Sequence, residues 1–131
     1  MKEAFEITIL LKTSPSKIYE AWLDSALHSK MTGGKAECSS AIGSPFTAWD
    51  GYISGINKEL KPYQEIVQSW RTVEFTKNDE DSYVKIVLTA LENETELRLI
   101  HTNIPEGKTQ YKQGWITHYF EPMKSYFENQ G

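Results

Sequence analysis

One cysteine, three histidines and no hydrophobic run of bilayer-spanning length set the first limits on this 131-residue sequence. A lone Cys38 cannot form an internal disulfide, which suits a reducing compartment, and the residue reads as a partly buried small hydrophobe. His28, His101 and His118 stand far apart, so no His/Cys cluster at metal-ligand spacing is present. A glycine-rich phosphate loop and a nucleophile elbow are also missing. No metal, no cofactor and no catalytic residue is therefore expected. Lysines are scattered, the net charge is -4 and the pI is near 5.4, so nothing invites nucleic acid or an anionic membrane. The N-terminus, Met1 to Glu6, lacks the apolar core of a signal peptide, and a cytoplasmic location is expected. On that reading the Asn93-Glu94-Thr95 sequon is simply a turn.

What is present is ordinary for one globular domain covering 1–131: 39% hydrophobic and 24% charged residues, enough length for one real core and too little for two. Phe5, Ile7, Ile9 and Leu11 alternate with Glu6, Thr8, Leu10 and Lys12, the period of a strand with one better-buried face. Ser14 is placed to cap a helix whose first position is Pro15 and whose apolar stripe includes Ile18 and Trp22. A second short helix, Ser25 to Lys30, is ended by Gly33-Gly34.

From Lys35 to Ile104 about six strands are expected. Turn signals punctuate them at Gly43-Ser44-Pro45, Asp50-Gly51, Lys61-Pro62 and Lys77 to Asp81. Asp50-Gly51, between Phe46–Trp49 and Tyr52–Ile56, is the strongest hairpin signal. The chain closes on an aromatic stretch: Tyr111, Trp115, Tyr119, Phe120, Tyr126 and Phe127 are six of its sixteen aromatic residues. Ile116, Phe120, Met123 and Phe127 form one helical stripe with Trp115, Tyr119 and Tyr126 beside it, predicting a helix from Gly107 to Asn129. Pro122 removes the donor to the carbonyl of His118 and should bend it, which could open a mouth at one end. Helices flanking a run of strands define an α+β fold with a mainly antiparallel sheet, and a curved sheet closed by one long helix is a natural container for an apolar ligand.

Several segments follow a familiar order: Thr13-Ser14-Pro15 with Tyr19, Trp49-Asp50-Gly51 with Ser54-Gly55, and Ile66 to Arg71. Glu94 to Leu97, Ile104-Pro105, and Gln113-Gly114-Trp115 with Tyr119-Phe120 continue it. Together, from Phe5 to Phe127, they resemble the domain shared by the C-terminal half of the heat-shock chaperone ATPase activators and many small bacterial proteins. That domain belongs to the START-like, or SRPBCC, superfamily. The resemblance implies a helix-grip fold: a curved antiparallel sheet of about six or seven strands wrapped around the C-terminal helix, with two short helices after the first strand. It also implies a deep cavity for lipids, polyketides or similar apolar molecules. Full-length activators carry a further N-terminal domain that these residues do not include.

The candidate cavity residues are Trp70, His101, Trp115, Tyr119 and Met123. Trp70 shares a strand face with Ile66 and Gln68, either as core or as cavity wall, while Arg71 points the other way, free to pair with a carboxylate. His101 shares a face with Leu97 and Leu99. It is either a buried polar group that orients a ligand or a partly exposed residue near a strand end. Trp22 and Trp49 read as packing. The leading expectation is a non-enzymatic binding protein for a small hydrophobic molecule. A chaperone-cofactor module, with a heat-shock chaperone as partner, is the alternative. A cyclase or dehydratase using His101 is the weaker one.

Overall fold

A computed structural model describes residues 2–108 and 110–128. Strand β1 (Glu3–Leu11) is followed by helices α1 (Pro15–Leu23) and α2 (Ser25–Thr32). Strands β2 (Pro45–Ala48), β3 (Ile53–Lys61), β4 (Glu65–Thr72), β5 (Ser82–Leu91) and β6 (Glu94–Ile104) come next. They form one curved antiparallel sheet of six strands in the order β1-β6-β5-β4-β3-β2, so the two helices carry the chain from one edge to the other. The two helices start where local chemistry directs. Ser14 Oγ accepts from the amide of Lys17 at 3.4 Å with Pro15 at the first position, and Asp24 Oδ1 accepts from Leu27 at 2.9 Å.

Five strands, not six, lie between Lys35 and Ile104. The stretch after Gly34 makes only an isolated bridge, Glu37 with Thr47. Side chains take up its backbone groups instead: Ser29 Oγ accepts from Ala36, Ser25 Oγ bonds both the amide and the carbonyl of Cys38, and Asn57 Nδ2 donates to the carbonyls of Ser39 and Ala41. Asp50 and Gly51, at φ 59° and 90°, make the hairpin turn closed by the Tyr52 amide on Trp49, as the Asp-Gly pair requires. A Cβ on Gly55 would lie 1.9 Å from the carbonyl oxygen of Ser69, so only glycine lets β3 approach β4 there.

The closing helix begins at Tyr111 rather than Gly107, because Gly107 sits at φ +87°, outside the helical region. Asn129, its expected end, lies outside the described residues. It has three parts: α3 (Tyr111–Trp115), a π-helical turn (Ile116–Phe120) and α4 (Glu121–Glu128). The irregularity therefore falls just before Pro122. In the π turn the amide of Glu121 reaches back to the carbonyl of Ile116, and Pro122 then lies in the first turn of α4, where no donor is needed. The helix packs Trp115, Tyr119, Phe120, Met123 and Phe127, all at most 3% exposed, onto Ile66, Val84, Ile86, Leu97 and Leu99 of the sheet. Each such side chain contributes roughly 1.5–3 kcal/mol on burial.

Candidate functional site

Two hydrogen-bonded chains cross the core between the closing helix and the sheet. His101, fully buried on β6, has Nδ1 3.0 Å from Trp115 Nε1 and Nε2 2.8 Å from Ser82 Oγ. An indole N–H only donates, so Nδ1 accepts and the ring proton belongs on Nε2, directed at Ser82. Ser82 Oγ in turn donates to the carbonyl of Trp70 at 2.8 Å. Every polar atom of this chain is satisfied with the imidazole neutral, and burial pushes its pKa down to about 3.

The second chain starts at Tyr119, whose hydroxyl donates to His28 Nε2 at 3.0 Å while His28 Nδ1 donates to the carbonyl of Trp22 at 2.8 Å. Burial lowers the pKa of His28 and raises that of Tyr119, so both stay uncharged. Trp22 Nε1 donates to Gln68 Oε1 at 3.2 Å, and Gln68 Nε2 donates to Asn57 Oδ1 at 2.9 Å. The chain ends on the loop carbonyls held by Asn57, so it ties helix, sheet and loop together.

Beside these chains lies a cavity of about 630 Å³ between the β2–β3 hairpin, β4 and the first half of the closing helix. Six aromatic rings wall it: Trp49, Tyr52, Trp70, Tyr111, Trp115 and Tyr119. Trp70 and Trp115 lie 5.7 Å apart and Trp115 and Tyr119 4.6 Å apart, so these three rings form one continuous aromatic surface. Gln110, Gln113, Thr117 and His118 supply the remaining polar groups, and no Lys, Arg, Asp or Glu is among the lining residues. Just outside, Glu74 accepts from the Tyr52 hydroxyl at 2.5 Å and from Gln110 Nε2 at 3.3 Å.

Of the five candidates, Trp70, Trp115 and Tyr119 are brought together on the cavity wall, whereas His101 and Met123 lie behind it in the core. No described residue from Glu121 onward lines the cavity, so its opening is not at Pro122. Sequence reasoning missed Trp49, Tyr52 and Tyr111. The signal for Trp49 was its place beside the Asp50-Gly51 turn, where φ of 52° swings the indole inward onto Gly34, 2.4 Å from where a Cβ would stand. Among the described residues Trp49 Nε1 is also a buried side-chain donor without a partner. Cys38 is half-buried, with its thiol pushed up to about 11 by burial, which keeps it unreactive. Arg71 pairs with Asp81 at 2.6 Å as its outward direction allows. No group of three or more His, Cys, Asp or Glu that could hold a metal occurs among the described residues, and no described helix is long and apolar enough to cross a membrane.

A six-stranded sheet gripping a C-terminal helix beside an aromatic cavity defines a START-like, or SRPBCC, domain. Within that class the chain belongs to the family described as "Activator of Hsp90 ATPase homolog 1-like protein", whose sequence profile matches residues 12–128. It is 32% identical over 118 residues to the human activator of 90 kDa heat shock protein ATPase homolog 1, a match covering 88% of this chain and 34% of the human protein. The chain thus spans about a third of that curated relative. Among solved structures it resembles an HSP90 activator from Plasmodium falciparum, at 27% identity and a TM-score of 0.85, over 94% of both chains. The Aha1 dimer from Colwellia psychrerythraea shares the fold at 19% identity and a TM-score of 0.81, over 96% of both chains. The chain is accordingly a single domain of this activator-like family.

Proposed function

We propose that this domain is a non-enzymatic partner of an Hsp90-type ATPase chaperone, binding it and raising its ATP turnover. The observation that carries this reading is the correspondence with the Plasmodium falciparum HSP90 activator over 94% of both chains, a match of whole domain to whole domain. The surface agrees with a protein partner rather than a nucleic acid. Leu10, Ile42, Val73 and Tyr83 are exposed hydrophobics on the outer sheet face and loops, and the charges beside them are balanced pairs such as Arg98 with Glu6 and Lys85 with Glu65. Titration calorimetry of the purified chain into the Hsp90-type chaperone of the same organism tests it. Saturable heat at micromolar concentrations is expected, and no heat with or without ATP would remove the reading.

A second reading is favoured by the cavity: about 630 Å³ walled by six aromatic rings is enough to hold a small hydrophobic molecule. Native mass spectrometry of protein purified from cells should then show a retained low-molecular-weight species. His101, on which a cyclase or dehydratase would depend, has both ring nitrogens engaged and lies outside the cavity lining, so it lends that reading no support.

A further inference from the structure

The chemistry of the cavity wall narrows what it can hold. All six aromatic residues carry a polar atom, and four of these atoms are turned to partners behind or beside the wall. Trp115 Nε1 is held by His101, the Tyr119 hydroxyl by His28, the Tyr111 hydroxyl by Thr72 at 2.7 Å, and the Tyr52 hydroxyl by Glu74. Trp49 Nε1 is shut off from solvent altogether. What faces the space is mostly ring carbon, with Gln110, Gln113, Thr117 and His118 adding polar groups. No Lys or Arg lines the cavity to receive an anion, and bringing a carboxylate into such a lining without a partner is costly. The carboxylate held just outside by Tyr52 and Gln110 adds like-charge repulsion. Flat ring faces in tilted contact offer offset-stacked and edge-to-face positions to a planar π system, and a saturated molecule of the same size cannot use them.

We infer that the cavity takes an uncharged, planar aromatic molecule of a few fused or conjugated rings, and excludes fatty acids and other organic anions. This rests on the second reading above, that the cavity is a ligand site. Three probes of one ring skeleton separate the two claims: phenanthrene, its 9-carboxylate, and the saturated, non-planar perhydrophenanthrene, each measured by equilibrium dialysis against the full chain. Phenanthrene should bind at least tenfold more tightly than either of the others. Equal binding of the carboxylate or of the saturated analogue would overturn this inference while leaving a ligand cavity in place. Binding by none of the three would remove the cavity reading and the inference with it.

Location is tested by filling the space. A Cβ at Gly114 meets nothing within 4 Å, so Gly114→Leu should enter the cavity and lower phenanthrene binding at least tenfold with the thermal midpoint retained. Thr117→Trp, built from an exposed lining position, repeats the fill if the first variant folds poorly. Unchanged binding in a folded variant of either kind would place the probe elsewhere and contradict the assignment.

Discussion

Burial holds the pKa of His101 at about 3, far below the 6.5 of an unfolded histidine, and both of its ring nitrogens are committed while it is neutral. The unfolded chain therefore binds a proton at this position between those values and the folded chain does not. The stability this residue contributes is full above pH 6.5 and declines as pH falls toward 3. His28 is shifted in the same direction and adds to the effect. Urea midpoints of the wild-type chain should fall from pH 7 to 4.5, and those of His101→Phe, though lower at neutral pH, should fall less steeply; parallel slopes would contradict the assignment. Trp115→Phe leaves His101 Nδ1 without its donor and should cost about 1–3 kcal/mol beyond the change in size, read from the same curves. Gly55→Ala should be worse, destabilising by about 2 kcal/mol or more, because its Cβ meets the backbone oxygen of Ser69 and not a side chain that could move.

At the scale of elements, what the sequence made legible was what depends on local period and local caps. Alternating residues in β1, the Ser14–Pro15 start of α1, the Gly33 stop of α2 and the Asp50-Gly51 turn were all readable because neighbours along the chain determine them. The Lys35–Ser44 segment was not, since its backbone is held by Ser25, Ser29 and Asn57 from other elements. The same limit applies to the site. Trp70, Trp115 and Tyr119 could be placed on an inward face, but the swing of Trp49 into the cavity depends on a left-handed backbone and on the missing Cβ of Gly34. Pro122 was expected to bend the helix; the irregularity the structure shows is a π turn just before it, which leaves the proline at the start of α4. Pro122→Ala should therefore change stability by less than about 1 kcal/mol, against roughly 3 for a proline in a regular helix interior. A gain near 3 kcal/mol in thermal or urea unfolding would show the proline to be strained.

The whole molecule joins a buried polar framework to an aromatic cavity. Two neutral hydrogen-bonded chains fix the closing helix to the sheet, so the cavity wall is preformed and does not wait for a ligand. Those side chains are occupied in structural hydrogen bonds. Family membership over residues 12–128 and the whole-domain likeness to a Plasmodium falciparum HSP90 activator support a chaperone as the binding partner. The most direct measurement is the steady-state ATPase rate of the purified Hsp90-type chaperone from the same organism, titrated with this chain and corrected with a chaperone-specific inhibitor. A saturable rise of severalfold in turnover is predicted; a rate unchanged at saturating chain, with binding verified in the same samples, would contradict the account.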